Sequence, residues 1–188
     1  VKYGVTRDYV RGLELVLANG DIVTVGSKNV KDASGLSLKN LVIGSEGTLA
    51  VITKCILKLI PKPENSFSVL LPYPDIKTAT AGVGPLIHGN VNPTAIEFIE
   101  RSVVELGEKY TGLSFPFPDA KAYLLLIFDG ARAEVDYNIY RTRELAISNG
   151  ALDALILKEK EDMDRVWKIR GCLVKAVEAE SEQEPVDL

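Results

Sequence analysis

Residues 123–128 read Tyr123-Leu124-Leu125-Leu126-Ile127-Phe128, a continuous run of apolar side chains. A short apolar run of this length predicts a buried β-strand, because a buried helix needs a longer segment. The pattern of Arg132–Ser148 predicts a helix, which Asn149-Gly150 ends, since these residues are favoured in the left-handed cap of a helix. The centre of the chain is therefore expected to place a helix against a sheet.

The same alternation of strand and helix extends outward on both sides of this centre. Residues 94–100 fit both a strand and one face of a helix, so their pattern leaves the two open. The other predicted elements are a strand over Ser66–Leu71, a helix over Ile76–Ile87 begun by Asp75, a helix over residues 101–110, a strand over Leu152–Leu157 and a helix over Glu161–Glu178. This order predicts an α+β fold of two split β-α-β halves, a ferredoxin-like sandwich with an antiparallel sheet and helices on one face.

The first third of the chain has a different pattern. Residues 11–25 alternate around Asn19-Gly20, which predicts a β-hairpin, because both turn residues tolerate positive φ. Residues 48–60 are rich in β-branched side chains and predict one or two further strands. Pro61-Lys62-Pro63 then interrupts the pattern. We therefore expect two domains, residues 1–62 and residues 63–188.

Composition narrows the class of protein. The 188 residues are 46% hydrophobic and 26% charged, which is typical of a globular chain. A net charge of −4 gives no basic patch for nucleic acid or an anionic membrane, and no apolar run is long enough to span a bilayer. Two cysteines are too few for a disulfide framework, and free thiols fit a reducing compartment. We expect a cytoplasmic protein.

The stretch Gly44-Ser45-Glu46-Gly47-Thr48-Leu49-Ala50-Val51-Ile52-Thr53 is the first candidate for a binding site. Its glycines allow the backbone to lie against a flat ligand and to offer amide groups to ring or phosphate oxygens. The alternative is a plain turn before a strand. A second stretch, Thr6-Arg7-Asp8, carries two opposite charges that could pair and pin a loop.

Other polar and aromatic residues favour structural roles. His88, the single histidine, lies near a predicted helix end, where a surface or capping role is expected. Glu97 and Glu100 could be an acid and base pair, but a strand-end pair is the better interpretation. Trp167 and Arg170 either face an active-site cleft or form a packed indole beside an arginine that is solvated or ion-paired.

Taken together, these motifs resemble the FAD-linked 2-hydroxy-acid oxidase and dehydrogenase family, within the vanillyl-alcohol-oxidase-type flavoproteins. The family includes the flavin subunit of bacterial glycolate oxidase and D-lactate dehydrogenases. The matching stretches are Lys2-Tyr3-Gly4, Thr6-Arg7-Asp8, Gly12-Leu13-Glu14, Asn19-Gly20, Lys31-Asp32 with Gly35, Gly44 to Leu49, Ile52-Thr53, Pro61-Lys62-Pro63, Pro93 with Glu97-Phe98, and Trp167 with Arg170. Their order and spacing match over most of the chain.

The resemblance implies that residues 1–62 are the C-terminal half of an FAD-binding domain and that residues 63–188 are a cap domain on the substrate side of the flavin. It implies main-chain contacts with FAD along Glu46, Gly47, Thr48, Leu49, Ala50, Val51 and Ile52. Ala50 stands where the family usually has glycine, so its methyl group either crowds the cofactor or is harmless at a negative φ.

The resemblance also implies that the chain is an internal fragment. The family's pyrophosphate loop and its histidine segment for metal and base are expected outside it, so no catalytic or metal-binding residue is assigned here. The parent protein is expected to oxidise a small 2-hydroxy acid and to pass electrons to a flavoprotein or an iron–sulfur subunit. We expect the fragment itself to be inactive and to bind FAD weakly or not at all. The alternative is a non-catalytic module that binds a small ligand or partner on the same scaffold.

Overall fold

The computed structural model of the chain describes residues 2–180. They form two compact units, which we call the N-terminal unit, Tyr3–Lys62, and the C-terminal unit, residues 63–180 together with Lys2. None of the helices within residues 2–180 has the length and apolar character needed to cross a membrane.

The N-terminal unit is built on a three-stranded antiparallel sheet. A short 3-10 helix, Thr6–Tyr9, leads into strand β1, and the elements that follow are β1 (Val10–Val16), β2 (Ile22–Gly26), helix α1 (Leu38–Val42) and β3 (Val51–Leu57). The strand order is β2-β1-β3, so the predicted hairpin is joined by β3 on its other side. A small core forms under β1 and includes Leu13, Leu15, Val42 and Ala50.

The C-terminal unit contains four antiparallel strands and four helices. They are β4 (Asn65–Tyr73), α2 (Ile76–His88), β5 (Ala95–Glu100), α3 (Arg101–Thr111), β6 (Ala122–Gly130), α4 (Arg132–Ser148), β7 (Leu155–Leu157) and α5 (Lys160–Glu180). The strand order β5-β6-β4-β7 places β6 between β4 and β5, and β4 between β6 and β7. Each β-α-β half is thus split by a strand of the other half, which confirms the predicted α+β class.

The prediction that helices cover one face of this sheet is wrong. One core joins Leu124 and Leu126 of β6 to side chains of α2 and α4. A second core joins Tyr123 and Leu125, which point to the opposite face, to side chains of α3 and α5. Because successive side chains of a strand alternate between faces, a strand that is apolar at every position needs cover on both.

Local signals placed the helix ends correctly. The carboxylate of Asp75 accepts a hydrogen bond from the Thr78 amide at 2.7 Å and caps the start of α2. Gly150, with φ of 91°, follows the end of α4 in the left-handed region. Residues 94–100, for which the pattern left two structures open, contain strand β5, which pairs with β6 along its whole length.

Candidate functional site

The candidate segment Glu46–Ile52 begins in a tight turn of the N-terminal unit. The Thr48 amide donates to the carbonyl of Ser45 at 2.9 Å, and the Thr48 hydroxyl donates to the same oxygen at 2.6 Å. The two central residues, Glu46 and Gly47, have φ of 51° and 80°. Positive φ at both central positions is characteristic of a type I′ turn, which favours glycine. A left-handed conformation at Glu46 costs about 1–3 kcal/mol, so surrounding contacts must hold the turn.

Gly47 faces open space. A Cβ atom built on Gly47 would have no other atom within 4 Å among the described residues. The positive φ therefore accounts for the glycine without any crowding, and the space beside its backbone is free for a ligand. Both the plain-turn interpretation and the binding interpretation are compatible with this geometry.

The second half of the segment differs from residue to residue in exposure. Ala50 is buried in the core of the N-terminal unit, and its φ is not positive. Leu49, Val51 and Ile52 are 49%, 61% and 43% exposed. Because the φ of Ala50 is not positive, an alanine fits the backbone here without strain.

Arg7 joins two of the stretches that the sequence singled out. Its guanidinium donates to the carbonyl of Ile43 at 2.8 Å, and a Cβ atom on Gly44 would lie 3.1 Å from Nη2 of Arg7. The expected pairing of Arg7 with Asp8 is wrong, because the Asp8 carboxylate instead accepts from the Val5 amide at 3.0 Å. The structure thus brings Arg7 to the start of the Gly44–Thr48 stretch, a contact that spacing alone could not reveal.

Polar side chains adjoin the candidate segment on strands β1 and β3. Glu14 accepts hydrogen bonds from the Thr53 hydroxyl at 2.9 Å and from the Lys54 ammonium at 2.8 Å. These two donors, Lys54 before Thr53, lower the pKa of Glu14. Glu14 pairs with Lys54 and Leu15 with Ile52, so Thr53 is an extra residue in β3, a β-bulge that re-aims the strand just after Ile52. Sequence reasoning missed this cluster.

The polar and aromatic residues singled out in the C-terminal unit take structural positions. Arg170 on α5 donates to the carboxylate of Glu97 on β5 at 2.8 Å, and Trp167 packs on the second core. Glu100 accepts instead from the Ser102 hydroxyl at 2.9 Å, so the two glutamates have separate partners. His88 is exposed as the last residue of α2. The interpretation of a packed indole beside an ion-paired arginine agrees with this geometry.

Within residues 2–180, no cluster of three or more histidine, cysteine, aspartate or glutamate side chains is arranged to hold a metal ion.

Residues 62–188 match the family model described as "FAD linked oxidases, C-terminal domain". The chain belongs to the FAD-linked oxidase family. Curated relatives align over nearly the whole chain, including residues before the matched domain. A D-lactate dehydrogenase of Anaerostipes hadrus is 39% identical over 96% of this chain, and the glycolate oxidase subunit GlcD of Bacillus subtilis is 36% identical over 94%.

This member of the family spans 39% and 37% of the length of those two relatives. Solved structures agree on the fold. An alkyldihydroxyacetonephosphate synthase superposes with a TM-score of 0.64 at 20% identity, over 93% of this chain and 36% of its own. A p-cresol methylhydroxylase gives a TM-score of 0.64 at 17% identity, over 90% and 38%. At such identities the likeness shows the fold alone.

Proposed function

We propose that the protein containing this chain oxidises a small 2-hydroxy acid of the glycolate or D-lactate type. The observation that carries the proposal is the alignment of more than nine-tenths of the chain with relatives named D-lactate dehydrogenase and glycolate oxidase subunit. FAD, when bound, supplies the acceptor for the hydride that leaves the α-carbon of the substrate. The proposed contribution of this chain is to bind FAD and to orient it toward the substrate.

In this proposal the main chain of Glu46–Ile52 lies along FAD. The open space beside Gly47 supports it, and the Ala50 methyl group is buried in the core of the N-terminal unit. The turn and the bulge at Thr53 fix the two ends of the segment. Backbone amides held in this way can donate to ring or phosphate oxygens without reorganisation.

Residues 1–62 would then be the C-terminal half of the FAD-binding domain, and residues 63–188 the cap domain on the substrate side. We assign no catalytic residue to this chain. The chain covers 39% of the length of the Anaerostipes hadrus relative. We therefore expect the base that takes the hydroxyl proton to come from the part of the longer protein that this chain does not span.

We further propose that the electrons leave through a flavoprotein or iron–sulfur subunit. The word "subunit" in the name of the Bacillus subtilis relative supports a multi-chain assembly. A cytoplasmic location is proposed on the free thiols of Cys55 and Cys172, which fit a reducing compartment.

Substrate bleaching of the full-length protein tests the proposed reaction. The protein is purified with its flavin and mixed anaerobically with D-lactate, L-lactate or glycolate. Loss of the visible flavin band with one of these acids is the expected result. A flavin-loaded protein that none of them bleaches would overturn the proposed reaction and favour the non-catalytic binding module.

A glycine pair tests the proposed FAD segment. Asparagine tolerates positive φ, so Gly47→Asn keeps the turn but places a side chain in the open space. We expect the full-length protein to lose FAD affinity about tenfold or more, the equivalent of ~1.4 kcal/mol. Gly20→Asn is the matched control, because Gly20 also has positive φ and open space. Equal FAD affinities of the two variants, measured by flavin fluorescence, would contradict this placement of the cofactor.

A further inference from the structure

Lys2 belongs by its contacts to the C-terminal unit, although the residue after it begins the N-terminal unit. Its ammonium donates to the carbonyl oxygen of Asp129 at 2.6 Å and to the carboxylate of Asp129 at 3.1 Å. Glu134 of α4 lies 3.6 Å away. The side chains of Lys2 and Asp129 are only 18% and 11% exposed.

The chain crosses between the two units a second time at Lys62–Pro63. Strand β4 begins two residues later at Asn65, which pairs with Gly130 of β6. The side-chain amide of Asn65 also donates to the Gly130 carbonyl oxygen at 3.5 Å. Within the C-terminal unit, Lys2 and the start of β4 therefore contact the same place, the end of β6 at Asp129 and Gly130.

Gly130 shapes this meeting point. Its φ of 136° is one that residues with a side chain rarely adopt, and a Cβ atom there would lie 3.0 Å from Glu134 and 3.4 Å from Lys2. The turn from β6 into α4 thus directs a carbonyl oxygen and two carboxylates toward one cation. Charge-assisted hydrogen bonds to partly buried groups are stronger than exposed ion pairs, which contribute little.

We propose that Lys2 is an anchor within the C-terminal unit that holds the β6–α4 junction beside the start of β4. Its ammonium group binds Asp129 at the end of β6, and β4 begins by pairing with Gly130 at the same end. Loss of the Lys2 ammonium is expected to loosen the β6–α4 junction and the start of β4, while the centre of the sheet stays intact. The inference does not depend on FAD or on the proposed reaction.

Hydrogen exchange on the full-length protein that contains this chain, read by mass spectrometry, tests the anchor. In Lys2→Met we expect peptides covering residues 128–134 and 64–67 to exchange about tenfold faster than in the wild type, the loss of one charge-assisted hydrogen bond. Lys2→Arg retains a cation and should restore most of the protection. Lys109→Met is the control, because it removes a lysine from an exposed ion pair with Glu180 in the same unit.

Two results would overturn the anchor. One is unchanged exchange at residues 128–134 in Lys2→Met. The other is an equal acceleration at Leu124–Leu126 in the centre of β6, which would mean that the whole unit is destabilised. Faster exchange in Lys2→Met that is confined to the peptides covering residues 128–134 and 64–67, and that is absent from Lys109→Met, supports the anchor.

Discussion

Tyr73 ends strand β4 with a hydroxyl group that is fully buried and has no hydrogen-bond partner within residues 2–180. Burial raises its pKa to about 12 from an ordinary value of 10.0. A pKa that is higher in the folded state stabilises the fold fully below pH 10, and this stabilisation is lost as the pH rises toward 12. We expect the free energy of unfolding to fall by at most about 2–3 kcal/mol in this window because of Tyr73.

Urea unfolding between pH 8 and about pH 12 measures this loss. Tyr73→Phe should flatten the decline, whereas Tyr110→Phe, at an exposed position, should leave it unchanged. If wild type and Tyr73→Phe show the same slope, the buried hydroxyl does not titrate with the fold.

Gly82 on α2 makes room for this same tyrosine. A Cβ atom on Gly82 would lie 2.7 Å from the Tyr73 hydroxyl oxygen and 3.2 Å from its ring. Overpacking costs about 1–3 kcal/mol, against about 1 kcal/mol gained in helix propensity. We expect Gly82→Ala to be neutral or destabilising. Adding Tyr73→Phe to that variant should restore part of the lost stability, because it removes the hydroxyl group that the new methyl group meets.

Gly171, inside helix α5, is the matched control. A Cβ atom on Gly171 meets nothing within 4 Å, and no proline follows it in the helix. Gly171→Ala should therefore stabilise the protein by up to about 1 kcal/mol. Urea unfolding of both variants compares them, and equal stabilisation by both would contradict the packing of Tyr73 against Gly82.

At the scale of elements, strand β6 shows how far sequence can predict this fold. Its apolar run predicted a buried strand, and the order of elements predicted the split β-α-β topology. The same run also required cover on both faces, since Tyr123 and Leu125 alternate with Leu124 and Leu126. The split β-α-β order alone predicts helices on one face, whereas a central strand that is apolar at every position needs helices on both.

The start of α2 was predicted from Asp75 alone, and it offers a test at this scale. Hydrogen bonds from the Thr78 amide and hydroxyl lower the pKa of Asp75. A pKa that is lower in the folded state stabilises the fold above the ordinary carboxyl range, and this contribution is lost as the pH falls. Asp75→Ala should lower the free energy of unfolding at pH 7, and the difference from wild type should shrink in acid.

Asparagine separates the hydrogen bond of the cap from its charge. Asn is as good an N-cap as Asp, so Asp75→Asn should keep most of the free energy of unfolding at pH 7. Because an amide does not titrate, the contribution of the cap should no longer decrease in acid. Thermal unfolding at several pH values records both effects. A loss in Asp75→Asn as large as in Asp75→Ala at pH 7 would show that the cap hydrogen bond contributes little.

For the whole molecule, we predict that the 188-residue chain holds no stoichiometric flavin when purified alone. The chain spans 39% of the length of the Anaerostipes hadrus relative, and its candidate segment contributes one open turn and a strand. One segment of main chain cannot bury a dinucleotide, because tight sites enclose most of their ligand. The flavin absorbance of the purified chain, compared with that of the full-length protein, measures this, and a tight one-to-one complex would contradict it.

The turn at Glu46-Gly47 was predictable from the sequence, but the residues that surround it were not. The glycines of the 44–53 stretch indicated a turn, and the structure has a turn there with positive φ at Glu46 and Gly47. The Arg7 contact with Ile43 and the Glu14 cluster join residues 36 and 40 positions apart. Such contacts follow from the pairing and bulges of the strands, which local patterns do not encode.

Strand β3 makes the isolated chain prone to aggregation. It lies at the edge of its sheet within the described residues, and nearly all its side chains are exposed. Its sequence, Val51-Ile52-Thr53-Lys54-Cys55-Ile56-Leu57, has the β-branched, weakly charged composition of segments that assemble into fibrils. Lys54 is the single charge in it and so acts as a gatekeeper against fibril growth. Neutralising that one ammonium group, by mutation or by chemical acetylation, is the change most expected to turn a dispersed preparation into an aggregate.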